Sequence, residues 1–100
     1  MLLSPLGYAA KTNWSEIYQI NYNASADYLF FVTQGKWQVV DGNNQTLCSP
    51  YYVQVSSAVA GRDKLMSIGL AAKLAGLSVE FHGECSTDPA YFNATYIIVR

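Results

Sequence analysis

One hundred residues make a single domain, near the size at which one hydrophobic core is just self-sufficient. Apolar side chains supply 51% of the chain and charged ones only 13%, which excludes a disordered segment. The formal net charge is −1 and the six Lys and Arg residues are scattered, so neither nucleic acid nor an anionic membrane has an electrostatic footing here.

The first ten residues, Met1 to Ala10, lack a basic start and hold only a short apolar run. They read either as the tail of a secretory signal, with Gly7-Tyr8-Ala9 as its small-residue cleavage site, or as an ordinary terminus. Residues 11–100 form the expected domain. No stretch reaches the roughly 18 apolar residues that a membrane-spanning helix needs, so no membrane insertion is expected.

From Glu16 to Tyr22 the chain alternates, which predicts a strand with Tyr18, Ile20 and Tyr22 on one face. Residues 23–27 are turn formers. Tyr28 to Thr33 is an almost unbroken apolar run and reads as a strand buried on both faces. Trp37 to Val40 continues into Asp41-Gly42, a hairpin signal, with Gln45 to Leu47 pairing back across it. Tyr51 to Val55 alternates again, with Tyr51, Val53 and Val55 together.

A helix is expected from Arg62 to Ala75, rich in Ala, Leu, Met and Lys and stopped by Gly76. After Asp63 its only polar residues are Lys64, Ser67 and Lys73, and the two lysines fall on opposite sides. A helix apolar nearly all round is covered on more than one face, here by a second copy of the chain, or else it exposes small alanines. Ser78 to His82 alternates, with Val79 and Phe81 inward and Glu80 and His82 outward. Cys85 to Asp88 is a loop, and Thr95 to Val99 is the last strand.

Cys48 and Cys85 match no metal spacing and are compatible with two free thiols or one disulfide. Small size, scarce charge and turn-like surroundings favour the disulfide, and with it an oxidising compartment, secreted or periplasmic. Catalytic signatures are sparse. The single histidine, His82, stands by Glu80 and Glu84 and reads as part of a solvated strand face. There is no Gly-x-Ser-x-Gly elbow and no phosphate-cradling glycine loop, so no catalytic residue, metal ligand or cofactor is expected. Four Asn-x-Ser/Thr triplets begin at Asn13, Asn23, Asn44 and Asn93. They are glycan acceptors only in a host that glycosylates exported chains.

Certain words recur in a known family. Leu47-Cys48-Ser49 precedes a strand, and Ser56-Ser57-Ala58 precedes the helix Leu65-Met66-Ser67-Ile68-Gly69-Leu70-Ala71-Ala72-Lys73. Ala75-Gly76-Leu77-Ser78-Val79-Glu80-Phe81 then follows. Over residues 47–82 this resembles the receptor-binding B subunits of bacterial AB5 toxins, of the subtilase-cytotoxin and typhoid-toxin type, and their small secreted relatives. The resemblance implies a mainly β fold with one helix. The implied architecture is a five-stranded oligonucleotide/oligosaccharide-binding (OB) barrel, its helix between strands 3 and 4. It also implies a homo-oligomer, a pentamer with helices lining a pore, and a cell-surface glycan as partner.

By the same carry-over Ser15 hydrogen-bonds the sugar and Trp14 lies against it. Where the toxin subunits have a cysteine in the second strand, this chain has Phe30-Phe31, and their C-terminal cysteine segment has no counterpart. The bridge that remains, Cys48 to Cys85, is closer to the secreted relatives. The sequence therefore points to a glycan-binding module with Trp14, Trp37, Tyr51 and Tyr52 as candidate stacking faces. The competing expectation is an exported structural or protein-interaction domain with no sugar site.

Overall fold

A computed structural model describes residues 10–100, and the expected signal remnant falls, apart from Ala10, outside the described residues. Nine strands and one helix follow in the order β1 (Ala10–Thr12), β2 (Ser15–Glu16), β3 (Gln19–Asn23), β4 (Tyr28–Val32), β5 (Val39–Val40), β6 (Thr46–Cys48), β7 (Tyr52–Ser56), α1 (Arg62–Ala75), β8 (Ser78–Cys85) and β9 (Tyr91–Val99). All nine belong to one sheet, ordered β3-β4-β7-β9-β8-β1-β5-β6, with β2 also paired to β8.

This overturns the expected five-stranded barrel. The sheet is open and mixed, its path ends at β3 and β6, and the helix lies between the seventh and eighth strands. Two departures are local. The expected strand Glu16 to Tyr22 is broken at Ile17-Tyr18 into β2, paired with β8, and β3, paired with β4, while β1 adds a further strand on β8. The expected strand Trp37 to Val40 shrinks to the two-residue β5. One departure is non-local: β7 and β9 run parallel, a pairing that alternation along either strand cannot announce.

Alternation nevertheless builds the core. Leu29 and Phe31 of β4, Val53 and Val55 of β7, Phe92 and Ala94 of β9, and Val79 and Phe81 of β8 are all buried. Phe31 packs on Phe81 at 4.9 Å between ring centroids, and Trp37 meets Phe81 edge-on at 5.4 Å. Trp37 is wholly buried, and its indole N–H donates to the Phe31 carbonyl at 3.2 Å. It offers no face to a ligand.

The strand β4 was expected to be buried on both faces. Only Leu29 and Phe31 are; Tyr28, Phe30 and Val32 are half-exposed on the opposite side. An all-apolar run hides its period, and here the aromatic residues of one face remain at the surface.

The helix has the bounds its composition predicts. Gly76 stands at φ 67° in the left-handed region and ends it. The Gly76 N–H donates to the Lys73 carbonyl at 3.2 Å and the Leu77 N–H to that of Ala72 at 3.0 Å, the paired closure of a Schellman motif. Only Leu65, Gly69 and Ala72 are buried against the sheet. Gly69 is required there by close approach, since an added Cβ would lie 2.5 Å from Phe31 Cε1. Met66, Ile68, Leu70 and Leu74 stay exposed, Leu74 by 79%.

Cys48 and Cys85 form a disulfide. It ties the edge strand β6 to the end of β8, across 37 residues of chain.

Candidate functional site

Ser15 opens β2, which lies antiparallel to β8 in the register Ser15–Val79 and Glu16–Ser78. Thr33 follows β4 directly and is 5% exposed. The fold brings the two hydroxyls, 18 positions apart in sequence, to 2.6 Å. Thr33 Oγ1 also lies 2.8 Å from the Glu16 carbonyl oxygen, which can only accept. A threonine hydroxyl has one hydrogen, so it is spent on Glu16 and the Ser15 hydroxyl must donate to Thr33. Ser15 Oγ is left with acceptor capacity alone.

These groups line a cleft of about 480 Å³, together with Ile17, Tyr18, Gln34 and Ser78. That volume lies within the ordinary range of small-ligand sites, roughly 300–1,000 Å³. Its polar lining is neutral except for the exposed Glu16, and no Lys or Arg lines it. Tyr18 contributes an aromatic ring that is 55% exposed, while its backbone N–H is anchored on the Val32 carbonyl at 2.7 Å. The cleft therefore suits a ligand that presents hydroxyl donors and an apolar face, and it disfavours an anion.

Trp14, expected beside Ser15 at the ligand, is half-buried and does not line this cleft. The Arg100 guanidinium covers its ring at 4.1 Å from the centroid. Sequence reading missed Tyr18 as the cleft's aromatic group because alternation put it on a face with Ile20 and Tyr22. Its exposure beyond the edge of the sheet was a signal that only the break between β2 and β3 supplies.

Of the other expected faces, Tyr51 is exposed with Lys36 Nζ 4.8 Å above its ring, and Tyr52 stacks on Tyr91 at 5.3 Å. The solvated strand face expected at Glu80 and His82 is different in the structure. Glu80 is buried, and its carboxylate meets His82 Nε2 at 2.7 Å, with Tyr96 edge-on to the imidazole at 5.1 Å. The hydrogen bond gives the buried carboxyl group a local partner, as burial of a polar group demands. Among the described residues no three His, Cys, Asp or Glu side chains gather in a metal-binding cluster. Both cysteine sulfurs are consumed in the disulfide, so neither is available as a nucleophile.

At the far edge of the sheet Tyr22 of β3, Asp27 of the turn before β4 and Arg62 of α1 come together. Arg62 Nη2 lies 2.8 Å from Asp27 Oδ1, and Tyr22 donates its hydroxyl to the same oxygen at 2.6 Å. The Tyr22 hydrogen bond, followed by that of Arg62, holds the Asp27 carboxyl below its ordinary range, and the Tyr22 hydroxyl is raised by donating to Asp27. No helix among the described residues is long and apolar enough to cross a membrane. No family model matches the chain, and neither a curated protein nor a solved structure matches it.

Proposed function

We propose that this chain is a secreted glycan-binding module, with no catalytic role, whose sugar site is the Ser15 cleft. The observation that carries the reading is the directed hydroxyl chain from Ser15 through Thr33 to the Glu16 carbonyl at the cleft wall. It fixes an acceptor beside an exposed tyrosine, the pairing of polar group and apolar face by which sugars are bound. The disulfide supports export, because such bridges persist in oxidising compartments. The sequence resemblance to toxin B subunits over residues 47–82 points to the same ligand class, although the barrel it implied is not the fold adopted.

The test is binding of immobilised neutral and sialylated oligosaccharides by the wild type and by Ser15→Ala. Binding to neutral glycans is expected to weaken about three- to tenfold in the variant, the worth of one hydrogen bond. Folding should be retained, since Ala leaves Thr33 bonded to Glu16. Unchanged binding in a folded variant would remove Ser15 from the site.

One observation favours a second reading, an exported interaction domain. Met66, Leu70 and Leu74 lie four residues apart on the exposed side of α1, and an apolar stripe of this kind commonly marks an association surface. Under that reading the tyrosines serve packing, no sugar binds either variant, and binding to a partner copy depends on the helix.

A further inference from the structure

The outward face of β4, β7 and β9 presents a second set of groups that share no residue with the Ser15 cleft. Strand register sets Tyr52 opposite Tyr91, and Phe30 opposite Gln54, which in turn faces Asn93. Asn21 of β3 completes that second row. Tyr52 and Tyr91 stack at 5.3 Å with 23° between their planes, and Phe30 lies 5.7 Å from Tyr52 and 6.0 Å from Tyr91. The three rings are half-buried against one another, so their orientation is fixed before any ligand arrives.

The amides beside them are also ordered. Gln54 Nε2 donates to Asn93 Oδ1 at 2.7 Å, which leaves the Asn93 amide hydrogens and the Gln54 carbonyl oxygen for a ligand. Asn21, Tyr22, Asn23, Phe30, Tyr52 and Tyr91 line an open groove of about 310 Å³, and the Gln54–Asn93 pair lies beside it in the same row as Phe30. The one charged residue in these rows is Glu84 of β8, opposite Asn93, and it adds a negative charge. Nucleic acids and other polyanions are held by cations as well as by rings, and this face supplies none. A pyranose answers both halves of it, with C–H groups for the rings and hydroxyls for the amides. A groove this small also fits one or two sugar rings rather than a protein surface.

We infer that this aromatic and amide face is a binding site for a neutral saccharide, separate from the Ser15 cleft. It has the ligand class proposed for that cleft but none of its side chains, so either site can fail without the other.

The test is a titration of the isotope-labelled protein with cellohexaose and with maltohexaose, followed by amide chemical shifts. At least one sugar is expected to shift residues in β4, β7 and β9, with that response intact in Ser15→Ala. Tyr91→Leu keeps apolar volume without the ring and is expected to weaken binding about tenfold. Asn93→Ala, a change at an exposed position, is expected to weaken it about fivefold. The proposal is overturned if neither sugar shifts these strands, if shifts are confined to residues 15–18 and 33–34, or if Asn93→Ala binds as the wild type does. It is equally overturned if this face proves to be covered by a second copy, seen as a dimer that Tyr91→Arg dissociates.

Discussion

Two glycines in this chain meet their neighbours in different ways, and the difference sets what each will tolerate. A Cβ on Gly83 would lie 1.9 Å from the Asn93 carbonyl oxygen and 3.0 Å from Ala94 Cα, both in the backbone of the paired strand β9. Neither atom can rotate away, so the ladder itself must open. Gly83→Ala is expected to destabilise the protein at or above the roughly 1–3 kcal/mol typical of overpacking, read as a lowered urea midpoint. Gly69 meets only the end of the Phe31 ring. There the strain is offset by up to about 1 kcal/mol of helix propensity gained by alanine, so Gly69→Ala should cost clearly less than Gly83→Ala. Equal losses from the two variants would mean that Phe31 has no room to turn.

Asp27 makes a prediction of its own at this scale. Its carboxyl is held below the ordinary value of 3.8 by Tyr22 and Arg62, so the folded protein binds that proton less readily than the unfolded chain. The stability it contributes is complete above 3.8 and disappears as pH falls through the depressed folded value. Stability of the wild type relative to Asp27→Asn should therefore shrink on acidification through that window and be flat at neutral pH. A gap that stays constant into acid would mean that the carboxylate's charge is not what the triad uses. The group is at the surface, so the effect is expected to be small and reduced by salt.

At the scale of elements, legibility followed how local the cause was. The helix was readable to the residue because its composition, its length and the stop at Gly76 all lie within one short stretch. The hairpin at Asp41 was equally local: Asp41 Oδ1 accepts from the Asn43 and Gln45 N–H groups at 2.8 and 3.0 Å and shapes the turn between β5 and β6. The candidate cleft was half legible. Ser15 was singled out by resemblance, but Thr33 reaches it only because β2 and β4 end side by side, which no periodicity along the chain expresses. The aromatic face failed for the converse reason. In Tyr28-Leu29-Phe30-Phe31-Val32 every residue is apolar, so the sequence could not say which side faces out. The barrel failed because closure is a property of strand order, and the observed order leaves β3 and β6 at the two ends of the path.

For the molecule as a whole, the disulfide and the helix set opposite tests of how self-sufficient a 100-residue chain is. The bridge spans 37 residues and fastens the short edge strand β6, which otherwise holds only to the two-residue β5. In the chain-entropy model it contributes about 4 kcal/mol, a large share of a small domain's total, so Cys48→Ser with Cys85→Ser should lose up to that much in denaturant. The helix contributes in the other direction, by what it leaves uncovered. Burying one leucine side chain is worth about 1.5–3 kcal/mol, and α1 leaves Leu70 45% and Leu74 79% exposed. A chain this small has reason to recover that energy by association, and copies meeting through α1 would bury Met66, Leu70 and Leu74 together. Light scattering of the oxidised wild type should then give a multiple of the 11.0 kDa chain, and Leu70→Glu with Leu74→Glu should return the mass to one chain without unfolding it. A wild type that is monomeric at high concentration would instead leave the stripe as plain exposed surface, and would take with it the assembly implied by the resemblance while leaving both sugar sites standing.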